Sequence, residues 1–152
     1  FEGPLGGFRL HDSPKPAILL AGGTGFAPIK SIVENAIATG QTRPMTLYWG
    51  SRDLAGLYQL DVARGWEARL PGFRFVPVLS DAPASDNWSG RTGLAHVALM
   101  ADLPDLSGHE VYACGSPAMI DAARQDLTER CGLPAEAFFA DAFSFSNDAK
   151  PA

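Results

Sequence analysis

Cysteine is scarce in this chain, with two residues among 152. Two thiols cannot build a disulfide scaffold, nor a four-cysteine zinc or iron–sulfur site, and a reducing cytoplasm is the expected setting. Basic residues are also in the minority. Twelve Lys and Arg against seventeen Asp and Glu give a formal net charge of −5, which argues against nucleic acid as a partner because that requires a basic face. No apolar run approaches the ~20 residues of a membrane span, and no basic segment followed by an apolar one opens the chain. No membrane partner is therefore expected. His11, His96 and His109 share no metal-ligand spacing, so no metal site is expected and all three read as surface or helix-end residues. Neither a Ser/His/Asp set nor a carboxylate pair stands out, and hydrolysis has no support. What is plentiful is apolar: hydrophobic residues make up 46% and charged residues 19%, enough for the core of one ordinary domain. The chain opens on Phe1 rather than Met, the expectation being a processed or excised piece.

From Pro16 the pattern alternates strand and helix. Ala17-Ile18-Leu19-Leu20-Ala21 is a short unbroken apolar run, as in a parallel strand buried on both faces. Ile29, Ile32, Val33, Ala36 and Ile37 then mark one helical stripe, with Pro28 in its first turn and Gly40 at its exit. Met45–Trp49 predicts a second strand, Leu60–Leu70 a helix, and Phe73–Leu79 a third strand, in which Pro77 demands a bulge or an edge. Residues 80–93 read as a polar loop, followed by a short helix over Leu94–Met100. Glu110–Cys114 predicts a fourth strand. Ser116 is an N-cap with Pro117 behind it, opening a helix that ends at Gly132 and Pro134. Ala137–Ala140 predicts a fifth strand. Such alternation gives an α/β fold with a parallel sheet and helices on both faces. Ligands in such sheets bind beyond the carboxyl ends of the strands, which singles out 22–26, 50–53, 79–81, 114–117 and 141–145.

Gly22-Gly23-Thr24-Gly25-Phe26-Ala27-Pro28 joins the first strand to the first helix. It is either a tight turn or a pyrophosphate cradle, since glycines allow close backbone approach and a helix N-terminus attracts anions. It is neither G-x-G-x-x-G nor a P-loop. Cys114, followed by Gly115 and a capped helix, is either a small buried thiol or a residue of the same crevice. Gly50-Ser51-Arg52-Asp53 follows the second strand, where dinucleotide folds read the adenosine ribose. An acid favours a 2′-OH and an Arg a 2′-phosphate, and both are present. The aromatic C-terminal run from Phe138 to Phe145 is core packing or a cover for a flat ring.

Several motifs together carry a resemblance. Gly3-Pro4-Leu5-Gly6-Gly7-Phe8, the Ala21–Pro28 loop, Tyr48-Trp49-Gly50-Ser51-Arg52, Gly90-Arg91-Thr92-Gly93, Tyr112–Pro117 and Asp141-Ala142-Phe143 resemble the pyridine-nucleotide domain of the ferredoxin–NADP reductase superfamily. The resemblance implies a three-layer, doubly wound sheet of five parallel strands ordered 3-2-1-4-5. It implies NAD(P)H as cofactor, with Gly22, Gly23, Thr24, Gly25, Phe26 and Pro28 at the pyrophosphate. Gly50, Ser51, Arg52 and Asp53 match the adenosine side; Gly115, Ser116, Pro117 and Met119 complete the cofactor site. Thr24 and Cys114 fall beside the nicotinamide, as the positions nearest the chemistry, and Phe143 near a flavin. In the family a flavin-binding barrel holding FAD or FMN precedes this domain, and some relatives carry a 2Fe–2S cluster on a separate domain. Residues 1–12 resemble the barrel's last strand and a linker, 13–147 the NAD(P)-binding domain, and 148–152 a tail. The implied function is hydride transfer from NAD(P)H to the flavin, then electron transfer to an iron–sulfur protein, a dehydratase or free flavin. The alternative is a non-catalytic nucleotide-binding or regulatory module without a flavin domain.

Overall fold

The structure is a computed structural model and describes residues 15–22, 26–40, 43–57 and 60–142. The expectations for residues 1–12, for Gly23, Thr24, Gly25 and Phe143, and for the tail 148–152 lie outside the described residues.

Six parallel strands form one sheet: β1 (Ala17–Gly22), β2 (Met45–Ser51), β3 (Phe73–Leu79), β4 (Arg91–Thr92), β5 (Glu110–Gly115) and β6 (Phe138–Ala142), ordered β4-β3-β2-β1-β5-β6. Five of them stand in the expected order. The sixth corrects the expectation of five strands and of a wholly irregular 80–93 segment: Arg91 and Thr92 pair with Val78 and Leu79, and a 3₁₀ turn spans Ala84–Asp86. Two residues carry no periodicity of their own; this strand exists only because β3 offers it an edge.

Alternation in β1 feeds two cores. Ala17, Leu19 and Ala21 pack with Met45, Leu47 and Trp49 under helices α1 (Phe26–Ala38) and α2 (Leu60–Arg69). Ile18 and Leu20 pack with Tyr48 and Val78 under α3 (Ala95–Asp102) and α4 (Pro117–Arg130). Helices on both faces are what a run buried on both sides requires. Gly40, just past α1, has φ +71°, the left-handed conformation that ends helices and that glycine adopts without penalty.

Pro77 sits at an edge, without a bulge. The β2–β3 register is unbroken from Met45↔Phe73 to Ser51↔Leu79. On the outer side of β3, Phe73 N donates to Leu70 O at 3.2 Å, Phe75 N donates to Glu67 Oε2 at 2.9 Å, and Pro77 has no N–H. The outward donors of that edge are thus satisfied or missing, which blunts it against pairing with another chain.

The short strand β4 is tied to α3 by side chains. Arg91 Nη1 donates to Asp102 Oδ2 at 2.8 Å, Arg91 Nη2 to Ala98 O at 3.3 Å, and Tyr48 Oη to Asp102 Oδ2 at 2.7 Å. Trp88 Nε1 donates to Arg91 O at 2.7 Å. The Arg91 guanidinium, more than any other neighbour, holds the Asp102 carboxyl below the usual range. Asp102→Ala leaves the buried Tyr48 hydroxyl without its acceptor, an expected loss of about 1–3 kcal/mol. A carboxylate with a depressed folded pKa stabilises above its unfolded value and loses that contribution as pH falls through the folded one. The gap between wild type and variant in urea unfolding is therefore expected to be full at neutral pH and to narrow below about pH 4.

Candidate functional site

The two ends of the sheet differ in chemistry. At the amino ends of the strands, Arg43 is buried, its Nη2 2.5 Å from Glu110 Oε1. Its Nε donates to the Lys15 carbonyl, and Tyr112 Oη donates to the same Glu110 oxygen at 2.9 Å. That end is closed by charge and hydrogen bonds.

The carboxyl ends are open. A cavity of about 690 Å³ is lined by Gly22 of β1, by Gly50, Ser51, Arg52 and Asp53 at the end of β2, and by Ser80 beyond β3. One wall is the start of α3 with Gly93 and Leu94 before it; the other is the α4 face of Ala118, Met119 and Ala122. The cavity lies where the chain leaves β1 for β2 on one side and returns to β5 on the other, the switch point at which doubly wound sheets take ligands.

Gly50 and Gly115 leave room for the helices beside the cavity. A Cβ on Gly50 would stand 2.9 Å from Ala95 Cβ and 3.4 Å from Ala95 N. A Cβ on Gly115 would stand 2.9 Å from Met119 Sδ and 3.6 Å from the Gly22 backbone. The first lets α3 approach the end of β2; the second lets α4 start directly over β1. Ser116 caps α4 as expected: its Oγ accepts from Met119 N at 3.2 Å, with Pro117 at the first helical position.

The polar rim is held in place by the backbone. Ser80 N donates to Ser51 O at 2.9 Å and Asp81 N to Arg52 O at 2.8 Å, extending the β2–β3 pairing past both strands. Arg52 Nη2 then lies 3.7 Å from Asp81 Oδ2, with both side chains largely exposed. Asp53 Oδ1 accepts from Gly56 N at 3.1 Å, capping the turn Leu54–Gly56. Around Arg52 stand two carboxylates, so this rim carries more negative than positive charge.

Of the residues singled out in the sequence, Gly22, Gly50, Ser51, Arg52, Asp53 and Met119 meet around the cavity, with Gly115 packed against Gly22 and Met119. Cys114 does not line it. Its side chain belongs to the core under α1, with Leu19, Ala21 and Phe26. Phe26 and Pro28 are buried as well; the Phe26 ring stacks on Trp49 with centroids 3.9 Å apart, so its side chain serves the core. Neither cysteine is in a disulfide. His96 stands at a helix end, in the first turn of α3, as one of its two expected placements has it, but not on the surface: it is 5% exposed and its Nε2 lies 2.9 Å from Asp126 Oδ2. The sequence singled out Met119 but neither Asp126 nor the Ala118 and Ala122 that share its face of α4. The small residues of that face, spaced as a helix requires beyond a capped start, were the available signal. Among the described residues no group of three or more His, Cys, Asp or Glu is placed to hold a metal ion, and no helix is long and apolar enough to cross a membrane.

A roomy crevice at the switch point, lined by Gly22, Gly50 and the polar rim Ser51–Asp53, fits an extended dinucleotide. The chain belongs to the oxidoreductase NAD-binding domain family, whose match spans residues 19–125, within the ferredoxin reductase superfamily. It is 45% identical over 142 residues to the CDP-6-deoxy-L-threo-D-glycero-4-hexulose-3-dehydrase reductase of Yersinia pestis, covering 93% of this chain and 42% of that protein. It is 36% identical over 135 residues to the NAD(P)H-flavin reductase of Vibrio harveyi, covering 89% of this chain and 56% of that one. The crystal structure of the Amycolatopsis cytochrome P450 reductase GcoB superposes with a TM-score of 0.82 at 36% identity, covering 93% of this chain and 42% of that chain. This chain thus spans about half the length of these relatives or less.

Proposed function

We propose that this chain is the pyridine-nucleotide half of a flavin-dependent NAD(P)H reductase. The observation that carries the reading is the meeting of Gly22, Gly50, Ser51–Asp53 and Met119 around one cavity at the carboxyl ends of the strands. The chemistry supplied by the bound cofactors is hydride transfer from the nicotinamide to a flavin, FAD or FMN, held by a barrel domain of the same protein. This chain's part is to bind and orient. Its glycines allow close backbone approach, and the polar rim takes the adenosine end. Positions 24 and 114, Thr24 and Cys114, are assigned to the nicotinamide side; Cys114 pairs with Ala21 one residue before the end of β5 and, with its side chain in the core, acts by shaping that end of the strand. Phe143 is assigned to the flavin side by the family resemblance alone. Electrons pass on to an acceptor such as an iron–sulfur protein, a dehydratase or free flavin, and a cytoplasmic setting suits two cysteines that form no disulfide.

The rim also bears on cofactor choice. Arg52 is the cation available to a 2′-phosphate, and Asp81 beside it both neutralises that cation and repels the phosphate. Because the pair is exposed, it contributes at most about 1 kcal/mol and weakens with salt. Both cofactors are expected to serve, NADH modestly ahead. The test is kcat/KM for NADH and NADPH in the flavin-containing protein. Arg52→Ala should harm NADPH use more than NADH use, and Asp81→Asn should raise NADPH use several-fold, within about tenfold. Equal effects on both cofactors would remove Arg52 and Asp81 from the 2′ position. A flavin that NAD(P)H does not bleach in rapid mixing would contradict the reductase reading itself and leave a nucleotide-binding module.

A further inference from the structure

The two walls of the cavity are joined by one side-chain hydrogen bond. His96 stands in the first turn of α3, next to Ala95, and lines the cavity. Asp126 stands one turn beyond Ala122 of α4. An ionised carboxylate only accepts, so the contact is His96 Nε2–H donating to Asp126 Oδ2, at 2.9 Å. Arg130 Nε, at 3.8 Å from Asp126 Oδ1, adds a weak tether to the same carboxylate. No other side-chain hydrogen bond or ion pair links α3 to α4 among the described residues.

The rest of the two walls has no means of fixing their separation at that level. Ala95, Ala118 and Ala122 are small and without polar groups, and Met119 is an adaptable thioether. Deeper packing among Leu99, Ala123 and Leu127 is apolar and non-directional. A hydrogen bond to a charged acceptor is directional and short, and this one is part-buried, the His96 side chain 6% and the Asp126 side chain 32% exposed.

We propose that His96, held by Asp126, is a positioning residue that sets the width of the dinucleotide cleft by clamping the start of α3 to α4. The clamp rests on the reading of this cavity as the dinucleotide site. His96 itself lines the cavity and Asp126 does not, so the Asp126 variants separate the clamp from a direct contact of His96 with the ligand. Loss of the bond lets α3 drift from α4, and the slot between Leu94–His96 and Ala118–Ala122 loses its fit to a flat base.

The experiment is calorimetric titration of the chain with NADH well below its unfolding midpoint, with the midpoint recorded for each variant. Asp126→Asn keeps an acceptor and His96→Gln keeps a donor near the position of Nε2. Both are expected to hold affinity within about threefold, whereas Asp126→Ala and His96→Leu lose about tenfold or more. The two His96 variants supply the same comparison should Asp126→Ala not fold. Folded Asp126→Ala or His96→Leu protein with wild-type affinity would overturn the clamp, whatever happens to the midpoint. Equal losses in the conservative and the truncating variants would overturn it too. A wild-type chain that binds no NADH fails differently, because it overturns the reading of the cavity before any variant is made.

Discussion

Truncating Trp49 to alanine is expected to destabilise the chain by about 3–5 kcal/mol. Trp49 is fully buried in the centre of β2. Its ring stacks on Phe26 at 3.9 Å and 8° and meets Phe75 at 6.5 Å and 45°; Phe26 in turn stacks on Trp66 at 5.5 Å. The substitution removes the middle of an aromatic row spanning β2, β3, α1 and α2. The strands around it are hydrogen-bonded on both sides and cannot collapse into the gap. Domains of this kind hold about 5–15 kcal/mol in total, so a large part of the stability is at stake. Urea unfolding should show a lower midpoint with an unchanged slope. Trp49→Phe, which keeps a ring against Phe26, should lose markedly less. A loss below about 1 kcal/mol for the alanine variant would mean that this row is not the core of the α1 side.

Gly50→Val is expected to combine a moderate loss of stability with a large loss of dinucleotide binding. The new Cβ would meet Ala95 Cβ at 2.9 Å with the Ala95 backbone close behind, so α3 must move as a body. Overpacking of this sort costs about 1–3 kcal/mol. Since Gly50 and Ala95 both line the cavity, affinity for NADH should fall at least about tenfold, or 1.4 kcal/mol. Gly65→Ala is the contrasting change. Gly65 is exposed in α2 and its added Cβ meets nothing within 4 Å, so helix propensity alone acts and the chain should gain up to about 1 kcal/mol. Equal NADH affinity in Gly50→Val and wild type, with the variant folded, would separate the end of β2 from the binding site.

The elements legible in the sequence are those whose cause is local. The five-residue apolar run of β1 needs no partner to be recognised, and the Ser116–Pro117 start of α4 is a signal within four residues. The strand order came with the family resemblance, and the sheet follows it apart from β4. What was not legible depends on contacts between distant residues. β4 exists through pairing with β3. His96 is buried because Asp126, thirty positions along the chain, supplies an acceptor that periodicity cannot announce. Phe26, in a glycine-rich loop motif, reads as a ligand residue, yet its ring belongs to a stack completed by Trp49 and Trp66. Asp53 reads as a ribose acceptor and also caps the turn at Gly56. The Arg52–Asp81 pair arises only once β2 and β3 are set side by side.

The central claim is that the dinucleotide binds at the carboxyl ends of the strands, in the cavity between α3 and α4. Amide chemical shifts of the isotopically labelled chain, followed through a titration with NAD⁺, test it most directly. Saturating shifts are expected at Gly22, Gly50–Asp53, Ser80, Asp81, Gly93–His96 and Ala118–Ala122, with the amides of Lys15, Arg43 and Glu110 at the opposite end unmoved. Shifts confined to that opposite end, or none at millimolar NAD⁺, would contradict it.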